Sequence, residues 1–500
     1  MPDTQKAVLI AEIGSVTTRV TLVDMAGDVA RMIGRAEVPS TLEPPHENAT
    51  LAVIAAAAQI GAMTGRRLVD GAQLVMPQNR ESDGVNRVVA LTSAAGLMGV
   101  VIAAVAEDIS ARSAQRASHV TYTSLLQTIS LDSGARHSDG QDTTWIERQV
   151  QLLTGLHPDV VVIAGGVEDG AEDVLIRLAH IVGVTALNTS VDADGSQRQG
   201  VNARPLIFSG NTNVRERVIE ALSGRARLKL VDNVRPALDN EQLNPLRREL
   251  SQLYNELVLP RLAGAAALQR LAGGRLYTAA ESAALITRFL AALNQRGVIA
   301  ADVGAGATTM HYADADTLEP VVVGNVGSGF GVGAVVEARG LHNIARWLPF
   351  VLGERELMHR LLNKMLRPAV QPATREDLLL DLAVVREALY MATETLRDIR
   401  PDSQYDLVIG GGGVLAHVPH PGLAALALLD GLQRASNESV LATELHLDSL
   451  GLLAAAGALA FTNAEAALSL VENDLLANTP LATCVVIAGE GAIGERAVDV

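Results

Sequence analysis

The chain contains one cysteine in 500 residues, and aromatic residues make up only 3% of it. A lone Cys484 excludes an internal disulfide and any cysteine-cluster metal site; in its apolar, strand-like run it reads as buried packing. With hydrophobic residues at 48% and so few aromatics, the core has to be built from Ala, Val, Leu and Ile. Basic residues are the scarcer charge. Lys and Arg number 40 against 56 Asp and Glu, a net charge of −16, and no dense Lys/Arg run offsets it, which argues against nonspecific nucleic-acid binding. The most apolar runs, Ala94–Ala106 and Leu450–Phe461, are Gly/Ala-rich and shorter than the ~18 residues a membrane span needs. The opening Met1-Pro2-Asp3-Thr4-Gln5-Lys6 has neither a basic n-region nor a long apolar h-region, so a cytoplasmic chain without a secretory signal is expected. Its length exceeds one core, and two to four domains are expected.

What the chain does have is glycine placed at strand ends. Ala301–Asp314 approaches on an apolar strand and turns through Asp302, Gly304 and Gly306. It leaves on Thr308 and Thr309 into a second alternating stretch. Glycines let a backbone come close, and successive N–H groups in such a turn form a concave anion site. A carboxylate at the strand end can hold a hydrated Mg²⁺ beside phosphates. Glu12-Ile13-Gly14-Ser15-Val16-Thr17-Thr18 repeats the device roughly 290 positions earlier: acid, gap, glycine, then paired hydroxyls. Two copies suggest two related halves facing a shared cleft. A third glycine feature, Gly410-Gly411-Gly412-Gly413, follows the strand Tyr405–Ile409 and fits a surface where a planar or phosphorylated ligand lies on backbone. His417 and His420 follow it, but Pro419 and Pro421 make a helical metal pair implausible.

Between the halves, strand and helix alternate. Strands are expected at Val88–Thr92, His119–Thr123, Val160–Ala164, Leu206–Ser209 and Leu228–Val231, with helices over Ala103–Arg116, Thr144–Leu153, Glu172–Ile181 and Asn213–Leu222. That pattern indicates a parallel sheet covered on both faces. Residues 240–295 read as a helical connection, and Thr374–Ile399 as a long helix with Thr374 capping against Asp377. The organisation expected is therefore a first lobe over 1–87, a parallel α/β region over 88–235, a helical connection over 236–296 and a second lobe over 297–500.

Hairpin, second hairpin and strand-glycine turn, in this order, resemble the nucleotide-binding pattern of the actin, heat-shock-chaperone and sugar-kinase superfamily. More specifically, Thr92-Ser93-Ala94-Ala95-Gly96, Ala164–Gly170, Phe208–Asn211, Ile409–Ala416 and His446–Ala454 resemble landmarks of the glutamate mutase accessory family, the GlmL/MutL type, unrelated to mismatch-repair MutL. The resemblance implies an α/β, two-lobed actin-like (ribonuclease-H-like) fold with an inserted parallel α/β region. It implies ATP and Mg²⁺ as cofactors and an adenosylcobalamin-dependent mutase subunit as partner. Phosphate contacts would come from Gly14, Ser15, Thr17, Thr18, Gly304, Gly306, Thr308 and Thr309, with adenosine near Gly410–Gly413. Glu12 and Asp302 would be the catalytic and metal-holding acids. The superfamily carries Asp where this chain has Glu12, one methylene longer, and misplacement by about an ångström can cost on the order of 100-fold in rate. Two rival readings accompany the accessory ATPase. One is a small-molecule kinase with Glu168 or Asp169 as base. The other is a nucleotide-dependent scaffold that self-associates as a homo-oligomer.

Overall fold

The computed structural model describes residues 7–27, 29–130, 147, 149–151, 153, 155–170, 172–188, 204–223, 226–432, 441–476, 482–486 and 497–499. They fall into two compact units, Met1–Gly96 with Leu259–Val500, and Leu97–Val258.

Among the described residues of the first unit, beside a short two-stranded sheet (Val69–Asp70 with Gln73–Leu74), the two large sheets share one design. In the first, β1 (Val8–Ile13), β2 (Thr17–Ala26) and β3 (Val29–Pro39) form an antiparallel meander. β4 (Arg87–Thr92) and then β5 (Leu276–Thr278) extend it in parallel on the far side of β1, giving the order β5-β4-β1-β2-β3. In the second, β6 (Val298–Val303), β7 (Ala307–Ala313) and β8 (Leu318–Gly324) form the meander, and β9 (Leu407–Gly411) and β10 (Leu441–Leu447) the parallel extension. Two further antiparallel strands, Ala482–Val486 and Ala497–Asp499, complete its edge. A three-strand meander with two parallel strands beyond its first strand is the ribonuclease-H-like arrangement, and it occurs here twice. The central strands are apolar on both faces, as burial on both sides requires: Val8, Leu9, Ile10 and Ala11 are all buried.

One apolar core serves both sheets. Val8, Ile10 and Leu91 of the first sheet, Ala300 and Ile409 of the second, and the helices α1 (Ala279–Asn294) and α4 (Leu452–Ala460) all contribute to it. The two helices cross so closely that a Cβ on Gly457 would overlap the carbonyl of Ser282. On the other face of the second sheet lie α2 (Glu354–Leu366) and α3 (Arg375–Ile399). Thr374 caps α3 as the sequence indicates, accepting from the Asp377 N–H at 3.1 Å, and Leu382, Val385 and Leu389 face the core.

Among its described residues the second unit carries five strands, all parallel, in the order 227–230, 205–210, 160–165, 98–104, 123–130. Numbered along the chain this is 2-1-3-4-5, the flavodoxin-like doubly wound order.

Several element boundaries differ from the sequence reading. Val88–Thr92 does not open the parallel region; it pairs with β1, because its run of buried residues suits a central position. The parallel sheet starts instead at Met98–Ala104, whose Gly/Ala content hides its strand character, and its neighbour is Thr123–Ser130 rather than His119–Thr123. Within 240–295, Leu276–Thr278 is a strand and completes the first sheet, so that stretch is more than a helical connector. Half of Thr144–Leu153 and the side chain of Cys484 lie outside the described residues.

Candidate functional site

Each meander begins with a hairpin of the same construction. Gly14 N–H donates to Thr17 O at 3.0 Å, and Gly304 N–H to Ala307 O at 3.0 Å. Ile13 pairs with Thr18 as Val303 pairs with Thr308, and Glu12 lies opposite Arg19 as Asp302 lies opposite Thr309. The segment leaving each third strand braces its turn. Ser40 Oγ donates to Gly14 O at 2.6 Å, and Ser328 N–H donates to Gly304 O at 3.0 Å. Ser15 Oγ lies 3.6 Å from where a Cβ on Gly306 would sit, so the two tips face one another. Among the described residues, the N–H groups of Ser15, Val16, Ala305 and Gly306 have no acceptor in the protein. Opposed turns with free N–H donors form an anion cradle.

The hydroxyls divide into two sets. Thr18 and Thr308 are fully buried. Thr18 Oγ1 is bonded to Ser40 Oγ at 2.9 Å, and Thr308 Oγ1 donates to Val326 O at 2.9 Å. These two hold the turns in shape and are not free for a ligand. Ser15, Thr17 and Thr309 hydroxyls have no partner among the described residues.

The acids are not alone. Glu12 accepts from Arg19 Nη1 at 3.1 Å, and Arg19 Nε donates to Glu37 at 2.8 Å. Glu37 also takes Arg35, and its second oxygen lies 3.1 Å from His417 Nε2. Arg35 Nε donates to Leu450 O at 2.7 Å, and a Cβ on Gly451 would overlap the Arg19 guanidinium. Asp448 caps α4, accepting from the N–H groups of Leu452 at 2.7 Å and Leu453 at 2.9 Å. Arg19, Arg35, Glu37 and Asp448 were not singled out by sequence. The available signal was Arg35 and Glu37, two apart on one strand face and both charged, in a strand whose flanking Ala36 and Val38 are buried.

Asp302 is open to solvent on one side and packed by protein on the other, its Oδ2 beside Gly411 and its Oδ1 near Gly304. This enclosure first, and the Glu12 charge second, push its carboxyl up to about 7. Burial also raises Glu12, with Arg19 opposing, and raises Asp448 against its two backbone hydrogen bonds. For Glu37 burial acts upward too, but Arg19 outweighs it and the carboxyl sits below its usual value. Four acids with two arginines leave an excess of negative charge that a cation would relieve. Among the described residues no three His, Cys, Asp or Glu side chains could hold a metal by themselves. A site for Mg²⁺ here would therefore use one carboxylate, waters and phosphate oxygens, the usual arrangement for that ion. A proton on Asp302 competes with such a cation. Below pH 7 the affinity for Mg-nucleotide is expected to fall by up to tenfold per pH unit, levelling above pH 8. Calorimetric titrations between pH 5.5 and 8.5 would measure this, and a flat profile would exclude Asp302 from the metal.

The glycine turn has a packing explanation for three of its four residues. A Cβ on Gly410 would overlap Leu428, one on Gly411 would lie 2.9 Å from Asp302 Oδ2, and one on Gly412, at φ +107°, would overlap Val303 O. Only Gly413 faces open space. Gly410–Gly412 thus let the strand end pass against the second hairpin, and Gly413 is the position left for a ligand. Thr92–Gly96 begins beside the first hairpin, with Thr92 Oγ1 donating to Ile13 O at 2.8 Å.

In the second unit, Glu168 accepts from Thr212 N–H at 3.1 Å, Thr212 Oγ1 at 2.5 Å and Asn233 Nδ2 at 2.8 Å. Burial works the other way, but these bonds hold its carboxyl below the usual range. Asp169 accepts from Asn213 Nδ2 at 2.7 Å. Both acids tie the loop Gly165–Gly170 to the turn that follows the strand Pro205–Gly210.

The profile of the family described as MutL protein matches residues 8–475. The chain belongs to the MutL family. Protein MutL of Clostridium tetanomorphum is 22% identical over 409 residues, 74% of this chain and 82% of its own length. Among solved structures, nucleotide-free acetone carboxylase superposes with a TM-score of 0.37 at 13% identity, over 91% of this chain and 70% of the other. Glycerol dehydratase reactivase superposes with a TM-score of 0.32 at 13% identity, over 92% of this chain and 100% of the other. At overlaps this loose, the two-lobed assignment for this MutL protein stands on its own strand order.

Proposed function

We propose that this MutL protein binds Mg-ATP between the two hairpins and acts as an accessory protein of an adenosylcobalamin-dependent carbon-skeleton mutase. The observation that carries the nucleotide reading is the pair of facing turns with four free N–H donors above Asp302. The N–H groups of Ser15 and Val16 on one side, and of Ala305 and Gly306 on the other, would donate to phosphate oxygens. Thr17 and Thr309 add free hydroxyls, and Gly413 lies open for the adenosine. Asp302 would hold Mg²⁺ through its waters; bound there, the ion neutralises phosphate charge. The mutase as partner follows from membership of the MutL family together with the motif resemblance.

Glu12 sets the expectation for turnover. Its longer side chain reaches Arg19 and is held there, away from the role a shorter carboxylate would take. Hydrolysis is therefore expected to be slow, and Glu12→Asp to accelerate phosphate release with little change in ATP affinity. An unchanged or slower rate in that variant would show that the length of residue 12 is not the impediment. The wider test compares phosphate release from Mg-ATP with and without the purified mutase. Binding of ATP without any effect of the mutase would leave the nucleotide site standing and remove the partner. The kinase alternative would take Glu168 or Asp169 as base, and both accept hydrogen bonds from side chains beyond their own loop, Thr212 and Asn233 for the first and Asn213 for the second.

A further inference from the structure

His417 stands directly behind the glycine turn, and both of its ring nitrogens have partners. Nδ1 lies 2.7 Å from Gly413 O, one helical turn back, and Nε2 lies 3.1 Å from Glu37 Oε2 on β3. A carbonyl oxygen only accepts, so Nδ1 donates to it. Glu37 also holds Arg19 and Arg35 and sits below the usual carboxylate range, so at neutral pH it is ionised and likewise only accepts. A neutral imidazole has one N–H and would turn a lone pair toward one of these two acceptors. The ring that satisfies both is the imidazolium.

The two partners belong to different sheets of one unit. Gly413 follows β9 of the second sheet and is the open position of the glycine turn, while β3 is the edge of the first sheet. The charged groups on the first-sheet side are Arg19, Arg35 and Glu37, with Glu12 and Asp448 beyond them. On the side of the turn, His420 accepts from Gly422 N–H at 3.1 Å, Arg386 and Asp430 pair at 2.8 Å, and Asp302 lies beside Gly411. Removing the proton from His417 ends its donation to Glu37, which keeps both arginines. The cluster then holds its shape while the Gly413 turn loses its link to the first sheet. A ligand resting on a freed turn has to order that turn itself, which costs affinity.

We propose that His417 is a positioning residue of the nucleotide site: as the imidazolium it ties the Gly413 turn to Glu37 of the first sheet, and loss of its proton loosens the turn on which adenosine would rest. The effect on ligand rests on the proposed nucleotide site; the tie between the sheets does not. His417 is 41% exposed, so the tie is that of a partly exposed ion pair, about two- to fivefold in an equilibrium constant.

Imidazole changes charge between about pH 5 and 8, so the tie is present at pH 6 and lost by pH 8.5. Asp302 titrates in the same interval. ADP affinity is therefore measured by calorimetry in EDTA and read as the ratio of wild type to His417→Gln at each pH, in which the Asp302 contribution cancels. Wild type should bind about threefold tighter than His417→Gln at pH 6 and equally at pH 8.5. His417→Arg, a permanent cation with donors for both acceptors, should keep its advantage over His417→Gln at both values. A ratio that does not change with pH would overturn the proposal, as would an Arg variant as pH-dependent as wild type. Urea unfolding of the nucleotide-free proteins tests the tie by itself and shows that the variants fold. The wild-type unfolding constant should be about threefold below that of His417→Gln at pH 6 and equal to it at pH 8.5. ADP binding without any such stability difference would overturn the tie and leave the nucleotide site standing. The stability difference without ADP binding would leave the tie and remove the nucleotide site.

Discussion

Asp302→Asn is expected to lower Mg-ATP affinity on the order of 10- to 100-fold, the range seen when a group that orients a metal's ligands is lost. Affinity for metal-free ATP in EDTA should be unchanged or improved, since a negative charge beside the phosphates has gone. The pH dependence of Mg-nucleotide binding should disappear with it. The nucleotide-free variant offers an independent check. A carboxyl whose folded pKa is raised from 3.8 to about 7 is bound more tightly by its proton than in the unfolded chain. Its contribution to stability is fully present below pH 3.8 and is lost as pH rises through 7. The neutral amide does not suffer that loss, so at pH 8 the nucleotide-free variant should melt at or above the wild-type temperature. A lower melting temperature, with Mg-ATP affinity intact, would mean that Asp302 supports the fold rather than the ligand.

Arg19→Ala should be strongly destabilising for a change to a charged residue. Arg19 joins Glu12 and Glu37, and its side chain is only 16% exposed. Removing it leaves Glu12 without its hydrogen-bonded cation, Asp448 without one of its nearby positive charges, and Glu37 with Arg35 alone of its two arginines. Breaking such a pair costs on the order of 3 kcal/mol when little water can replace the lost partner. Arg19→Lys keeps the charge but cannot reach both carboxylates with a planar fork, so an intermediate loss is expected. Glu37 has a lowered folded pKa, so its share of the stability is present above pH 4.5 and lost as pH falls below that value. The deficit of Arg19→Ala should narrow over the same interval. Urea denaturation at pH 7 and at pH 4 measures both effects. A loss below about 1 kcal/mol at pH 7 would place the cluster among ordinary surface ion pairs.

Much of the cradle was legible in the sequence because its chemistry is local. Acid, glycine and hydroxyl within seven residues define a hairpin whose hydrogen bonds close on themselves, and the two copies announce each other. The roles of Thr18 and Thr308 were not legible. Their partners, Ser40 and Val326, come from the far end of each meander, and paired hydroxyls look alike whether they face a ligand or a neighbouring strand. Gly410–Gly412 carry a double trace for a related reason: close approach by Leu428, Asp302 and Val303 asks for the same residues as close approach by a nucleotide. The ionic cluster around Arg19 stayed hidden because its members lie on three strands and a loop, brought together only by register. In the parallel unit the strand Met98–Ala104 was lost to composition, since glycine and alanine carry little strand preference.

The crossing of α1 and α4 has a consequence for synthesis. The first sheet begins with residue 8, but its fifth strand is Leu276–Thr278, and the helix lying on it is Leu452–Ala460. During translation, at about 5 to 20 residues per second, the helix Ala49–Thr64 can cover one face of the N-terminal meander early, but the face carrying Val8 and Ile10 must wait for most of the chain. The unit Leu97–Val258 is contiguous and can finish first. The nascent first sheet is thus exposed longest, and substitutions that weaken α4, Gly457→Val above all, should appear as ribosome-released aggregates before they appear as altered nucleotide binding.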